Sequence, residues 1–164
     1  VRRLPALLLL CALLAPLAGC GGGGASSGAT VTVYLSAPLR GPGGRQGRTL
    51  CAEAKAALSQ AHGRAADLHV RAICLDAGTS TGTWTLAKVS ANARRAVEDS
   101  TTVAYIAEPT RQARLQSRPI VESAGIAELV GSSGSSSMHS VLHAIAGANP
   151  ESLRDSVRES LEGS

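Results

Sequence analysis

The sequence contains no phenylalanine, and aromatic residues make up only 2% of it. Trp84, Tyr34 and Tyr105 are the aromatic positions. A core must therefore be assembled from Val, Leu, Ile and Ala, which bury less area per residue and imply modest stability. No apolar run reaches the length of an ordinary membrane-spanning helix, about 20 residues. The longest, Leu4 to Ala18, is interrupted by Pro5 and Pro16. Basic residues do not cluster: the arginines are scattered among acids and alanines, and the formal net charge is +4, of which Arg2 and Arg3 supply two. This excludes the basic patch of a nucleic-acid-binding surface. No G-x-S-x-G occurs, no Asp–His pair stands out and no complete metal-ligand set is evident. The reading is accordingly not an enzyme, with no cofactor and no metal.

What is present at the amino terminus is a targeting pattern. Arg2 and Arg3 precede the apolar run, and small residues follow it, in the order of a secretory signal. Leu17-Ala18-Gly19-Cys20 looks like the lipobox of bacterial lipoproteins. That resemblance implies cleavage before Cys20 and a diacylglyceryl group on its thiol. The alternative is a plain signal peptide with an incidental cysteine. Two acyl chains suffice for stable anchoring, so residues 1–19 are expected to be a signal peptide and the mature chain to sit lipid-anchored on the outer face of a cell membrane. Residues 20–29 are rich in Gly and Ser and read as a flexible tether. Cys51 and Cys74 are an even pair, which outside the cytoplasm reads as a disulfide or as two buried thiols. A bridge closing that loop would contribute roughly 3 kcal/mol.

Beyond the tether, strands and helices alternate. Thr30–Ser36 and Leu68–Asp76 are β-branched and apolar and read as strands, as do Val103–Ala107 and the short Ile126–Val130. Arg48–His62 and Leu86–Glu98 carry apolar residues at helical spacing, and Gly63 ends the first of these helices. A further helical stretch after Ala107 is expected to be split by Pro119. Gly131–Ser137 reads as a serine-rich loop. Met138, Val141, Leu142 and Ile145 then share one helical face, and Asn149-Pro150 starts a last helix burying Leu153, Val157 and Leu161. The fold class is α/β: a partial doubly wound parallel sheet of about four strands over residues 30–133. Residues 134–164 supply a Ser-rich linker and C-terminal helices. Right-handed crossovers place all strand carboxyl ends on one edge, where ligands bind in such sheets.

Several groups of residues could carry chemistry. Gly41-Pro42-Gly43-Gly44-Arg45-Gln46-Gly47 follows the first strand as a dinucleotide loop would, with Asp76 placed like a ribose-binding acid. The spacing is G-x-G-x-x-x-G, however, and the favoured reading is a turn presenting backbone N–H groups at a helix start. His139 and His143, four residues apart, could share a metal, but solvated or capping histidines fit better. Glu108, Arg111 and Arg114 could grip a zwitterion or form a salt-bridged helix start. Ser132, Ser133, Ser135, Ser136 and Ser137 offer hydroxyls or a flexible linker.

Taken together, these segments resemble a known family. Val33-Tyr34-Leu35-Ser36-Ala37-Pro38-Leu39-Arg40-Gly41 is similar to the opening strand and loop of type I periplasmic solute-binding proteins of the leucine/isoleucine/valine-binding kind, which serve ABC importers. The likeness continues in Leu75-Asp76, Thr79, Gly82-Thr83-Trp84, Asn92 to Ala96, Val103 to Glu108, Pro119-Ile120-Val121 and Ala124-Gly125-Ile126. The resemblance implies half of a periplasmic-binding-protein lobe and a ligand that is an amino acid or similar zwitterion. It places the contacts at Ser36, Pro38 and Leu39, at Thr110 or Arg111, and at Ser132 and Ser133. It also favours a Cys51–Cys74 bridge, since some members join first helix and second strand in this way. Family members close two lobes on their ligand. Met138–Leu161 resembles their late helices, as in a version with its middle removed. The implied function is that of a membrane-anchored solute-binding-like lipoprotein related to branched-chain amino-acid ABC transport, with an ABC permease or a homo-oligomer as protein partner. The alternative is a non-transporting interaction lipoprotein that self-associates or binds another protein.

Overall fold

A computed structural model describes residues 28–130 and 133–163. The signal segment, Cys20, most of the tether and Ser132 lie outside the described residues. Five strands form one sheet: β1 (Thr30–Ala37), β2 (Arg64–Ala65), β3 (Leu68–Asp76), β4 (Thr102–Ala107) and β5 (Ala127–Val130), in the order β2-β3-β1-β4-β5. β3, β1, β4 and β5 run parallel, and β2 pairs antiparallel with β3. The register sets Leu35 between Cys74 of β3 and Ile106 of β4. The sequence pattern does not predict β2. It is only two residues long, and its return to β3 uses Ala66 at φ 48, a left-handed conformation that an alanine does not advertise.

The continuous apolar character of β1 and β4 follows from burial on both sides, as parallel sheets require. On one face Val31, Val33, Leu35 and Ala37 pack against α1 (Arg45–Gln60), α4 (Gly134–Gly147) and α5 (Leu153–Glu162). On the other, Tyr34, Tyr105 and Ala107 pack against Ala93 and Ala96 of α2 (Leu86–Glu98) and Val121 of α3 (Arg111–Glu122). Val33 and Leu35 are almost fully buried, each contributing about 1.5–3 kcal/mol. Both sheet faces are thus covered, and the carboxyl ends of the parallel strands form one open edge.

Three local expectations are corrected. α1 begins at Arg45, not Arg48, because a 3-10 turn over Pro42–Gly44 leads directly into it. Pro119 does not split α3: the helix is continuous, since Pro removes one hydrogen bond while Ala113, Ser117 and Val121 keep the inner face buried. The serine-rich segment is helical from Gly134, with the Ser133 hydroxyl accepting the Ser136 N–H at 3.1 Å as N-cap. Tertiary contact overrides the weak helix propensity of serine here. A Cβ on Gly134 would lie 1.8 Å from the Leu50 carbonyl oxygen, so glycine lets α4 start in backbone contact with α1. Cys51 of α1 and Cys74 of β3 form a disulfide, with Cα atoms 6.1 Å apart.

Candidate functional site

The carboxyl-terminal edge is built by two loops locked together. The loop after β1 packs its backbone onto the loop after β3, where the Gly43 N–H donates to the Thr81 carbonyl at 3.1 Å. The approach is too close for side chains: Gly82 sits at φ 89, and a Cβ there would be 2.4 Å from the Gly44 nitrogen. The glycines of the Gly41–Gly47 stretch therefore serve loop-to-loop packing. Gly44 N–H is likewise taken, by the Gly41 carbonyl at 3.2 Å. Nor does Asp76 face outward as a ribose ligand would. Its Oδ1 accepts the Leu39 and Gly78 N–H groups, both at 2.9 Å, and Oδ2 pairs with Arg40 at 3.0 Å and Lys88 at 3.6 Å. Burial pushes the Asp76 carboxyl up, but those two N–H donors and the Lys88 and Arg40 cations outweigh it and hold its pKa below the ordinary value.

Between these loops and the start of α3 lies a cavity of about 180 Å³, lined by Ala37, Pro38, Gly47, Trp84, Pro109 and Thr110 among others. Pro38 and Thr110, both expected as ligand contacts, thus meet in one place. Trp84, in the loop after β3, joins them. Thr110 is the N-cap of α3 but its side chain caps nothing, leaving the hydroxyl uncommitted among the described residues. The remaining positions fall elsewhere. Ser36 is buried, with 1% exposure, beneath the edge. Leu39 is spent on Asp76 and Arg48, its carbonyl accepting the Arg48 guanidinium at 3.0 Å. Arg111 lines a different groove, beside β5. Ser133 caps α4, whose first N–H group, on Gly134, donates to Glu53 of α1 at 3.0 Å.

Glu108 is not one arm of an exposed zwitterion grip; it is buried, at 1% exposure. It accepts the Ser36 hydroxyl, and Asn92 of α2 donates to that same hydroxyl at 2.8 Å. Arg114 turns to the Pro109 carbonyl at 2.7 Å. One step along the sheet, Ser117 of α3 donates to Glu128 of β5 at 3.0 Å. The result is a polar seam between the sheet and α2/α3. Glu108 Oε2 and the Tyr105 hydroxyl within it are buried without a hydrogen-bond partner among the described residues. Desolvation raises the Glu108 pKa against the pull of Ser36, and raises that of Tyr105 with help from the Glu108 charge. Glu128 is pushed up to about 7, chiefly by burial, against the hydrogen bond from Ser117. The sequence holds a signal for the seam: Ser36 is a polar residue at the end of an otherwise apolar strand, and Glu108 directly follows a fully buried one.

His139 and His143 are exposed on α4, with His139 Nδ1 near the Ser135 carbonyl at 2.9 Å. Among the described residues no group of three His, Cys, Asp or Glu side chains could hold a metal ion. Nor is any described helix long and apolar enough to cross a membrane.

No protein-family model matches the sequence, and no curated protein matches it. Two solved structures resemble the fold. A possible leucine/isoleucine/valine-binding protein from Rhodopirellula baltica aligns with a TM-score of 0.53 and 17% identity over 62% of this chain. A leucine-binding protein from Thermotoga maritima aligns with a TM-score of 0.52 and 19% identity over 60% of it. The chain covers 27% and 26% of those two proteins, about a quarter of their length. At such identity the likeness concerns the fold alone: this α/β body is similar in architecture to about a quarter of each of those two proteins.

Proposed function

We propose that the chain is an extracytoplasmic solute-binding-like module, lipid-anchored through Cys20, that takes a zwitterionic amino acid of the branched-chain type at its carboxyl-terminal edge. The observation that carries this reading is the cavity joining Pro38, Trp84 and Thr110 on the edge where open α/β sheets bind ligands. The free Thr110 hydroxyl and the amino-terminal end of α3 suit a carboxylate. Trp84 and Pro38 suit an aliphatic side chain. At about 180 Å³ the cavity is smaller than the roughly 300–1,000 Å³ of pockets that bury a small molecule. A second wall, from another lobe or from a permease of the ABC type, would complete it. Titration calorimetry of the full chain with leucine, isoleucine and valine, read alongside Trp84 emission, tests the proposal. Binding in the micromolar to millimolar range with a shift in emission is expected. Absence of both heat and emission change at millimolar amino acid would defeat it. Anchoring is tested separately: Cys20→Ser should move the protein from the membrane to the soluble fraction.

The second reading is a non-transporting interaction lipoprotein. It is favoured by the small size of the cavity and by Leu115 and Val130, exposed at 57% and 56%.

A further inference from the structure

Outside the carboxyl-terminal edge, apolar exposure and charge coincide on a flank formed by α3 and β5. Leu86, Leu115 and Val130 are the exposed large hydrophobic residues among those described. Two of these three, Leu115 and Val130, line a single groove of about 650 Å³ beside β5, together with Arg111, Arg114, Arg118 and Glu128. β5 ends the sheet, and among the described residues no strand pairs with its outer side. A strand edge next to exposed aliphatics and arginines has the composition of an interface core rather than of ordinary surface.

The arrangement of charge says what fits. Along the outer side of α3 run Arg111, Leu115, Arg118 and Glu122. Arg111 and Glu122 are eleven residues apart, three helical turns, so they share one side of the helix about 16 Å from each other. Arg118 and Glu122 pair within the chain at 2.6 Å. Arg111 lies at the other end, exposed and with no hydrogen bond or ion pair among the described residues. The stripe is therefore positive at its start, apolar and mixed in the middle, and acidic at its end. A two-fold axis through its centre would bring Arg111 of one copy to Glu122 of the next and set Leu115 beside Arg118. The Glu122 carboxylate has oxygens enough to accept both arginines. That is the pattern an isologous contact demands, in which residue i meets j and j meets i. A uniformly acidic partner would match Arg111 and Arg114 but oppose Glu122 and Glu128.

We infer that the flank formed by α3 and the outer edge of β5 is a self-association surface, and that its occupant is a second copy of this chain in antiparallel arrangement. The inference is independent of ligand binding at the carboxyl-terminal edge, and calorimetry with amino acids does not read it.

Sedimentation velocity of the full chain in a non-ionic detergent, over a range of micromolar concentrations, tests it. A concentration-dependent dimer is expected, weakened by added salt. Arg111→Glu alone and Glu122→Arg alone should each raise the dimer dissociation constant at least tenfold. The double swap, Arg111→Glu with Glu122→Arg, should restore it to within about threefold of the original. Leu115→Arg, which sets a further cation against Arg118 of the other copy, should abolish the dimer. The substituted positions are all at the surface, so circular dichroism should show each variant folded. A chain monomeric at every concentration overturns the inference. So does a dimer indifferent to these changes, or a double swap no better than the single ones. Association of the monomer with acidic polypeptides instead would assign the flank to a different partner, and overturns it too.

Discussion

The Asp76 carboxylate at the end of β3 accepts the backbone N–H of Leu39, 2.9 Å away in the loop that follows β1. One side chain thereby fixes the distance between two loops that share no strand, and with it the mouth of the cavity at the carboxyl-terminal edge.

Asp76→Ala leaves the Leu39 and Gly78 N–H groups without their acceptor. Urea unfolding should show a loss of about 1–3 kcal/mol. Asp76→Asn keeps an acceptor oxygen and should cost less. The native pKa lies below the unfolded one. This contribution is therefore present above the unfolded value of about 4 and is lost as pH falls through the lower folded value. The wild type should accordingly lose its advantage over Asp76→Asn on acidification, and curves measured near pH 7 and pH 3 should converge.

The disulfide between Cys51 and Cys74 joins α1 to β3 across a sequence separation of 23. Removing the cross-link should lower unfolding free energy by about 3 kcal/mol in the chain-entropy model. Denaturation of the Cys51→Ser, Cys74→Ser double variant, or of the reduced protein, checks it. A core of small aliphatic residues leaves little margin, so the reduced protein should unfold at distinctly lower urea.

Gly134→Ala should be far more damaging than an alanine in a helix ordinarily is. The added Cβ would meet the Leu50 carbonyl oxygen at 1.8 Å, and backbone cannot swing aside as a side chain can. α4 must move off α1, opening the core around Met138 and Val141. A loss above about 2 kcal/mol is expected on the scale of overpacked cores. Gly147 is the matched control, since a Cβ added there would meet nothing within 4 Å. Gly147→Ala should be neutral or mildly stabilising.

The alternation of strands and helices is legible in the sequence because β1 and β4 are buried on both faces and so read as β-branched and apolar segments. The carboxyl-terminal edge of the sheet is legible for the same reason, through the crossover rule. What does not show is whatever depends on contact between distant segments. Arg64–Ala65 forms a strand only because β3 turns back beside it. Ser135 to Ser137 are helical only because α1 receives them. Pro119 is harmless because the side of α3 that matters keeps its burial. At the candidate site, Pro38 and the choice between Thr110 and Arg111 come from the family resemblance. Trp84 cannot be set beside them, because its position depends on how the loop after β3 folds onto the glycines after β1. Ser36 and Glu108 pass for edge residues because their partnership spans two strands and a helix.

That partnership yields the last prediction. Glu108 and Glu128 occupy the seam under α2 and α3, and burial raises both their pKa values; the negative charge of Glu108 contributes to the rise at Glu128. A carboxyl whose folded pKa exceeds its unfolded value binds its proton more tightly when folded. Stability is then greatest below the unfolded value and falls as pH rises through the folded one. For Glu128 the window runs from 4.5 to about 7. The opposite sign from Asp76 makes the two separable: acid weakens the Asp76 staple and strengthens the seam. Glu128→Gln keeps an acceptor for Ser117 and cannot ionise, so it should flatten the decline in unfolding free energy between pH 5 and pH 7. Glu108→Gln keeps an acceptor for Ser36, cannot ionise, and should likewise flatten the decline. Because each charge disfavours the other, the double variant should gain less at pH 8 than the two single gains together. Urea unfolding from pH 5 to pH 8 measures all three. Parallel wild-type and variant curves would mean that neither carboxyl changes protonation on folding, and that the seam is held by its hydrogen bonds alone.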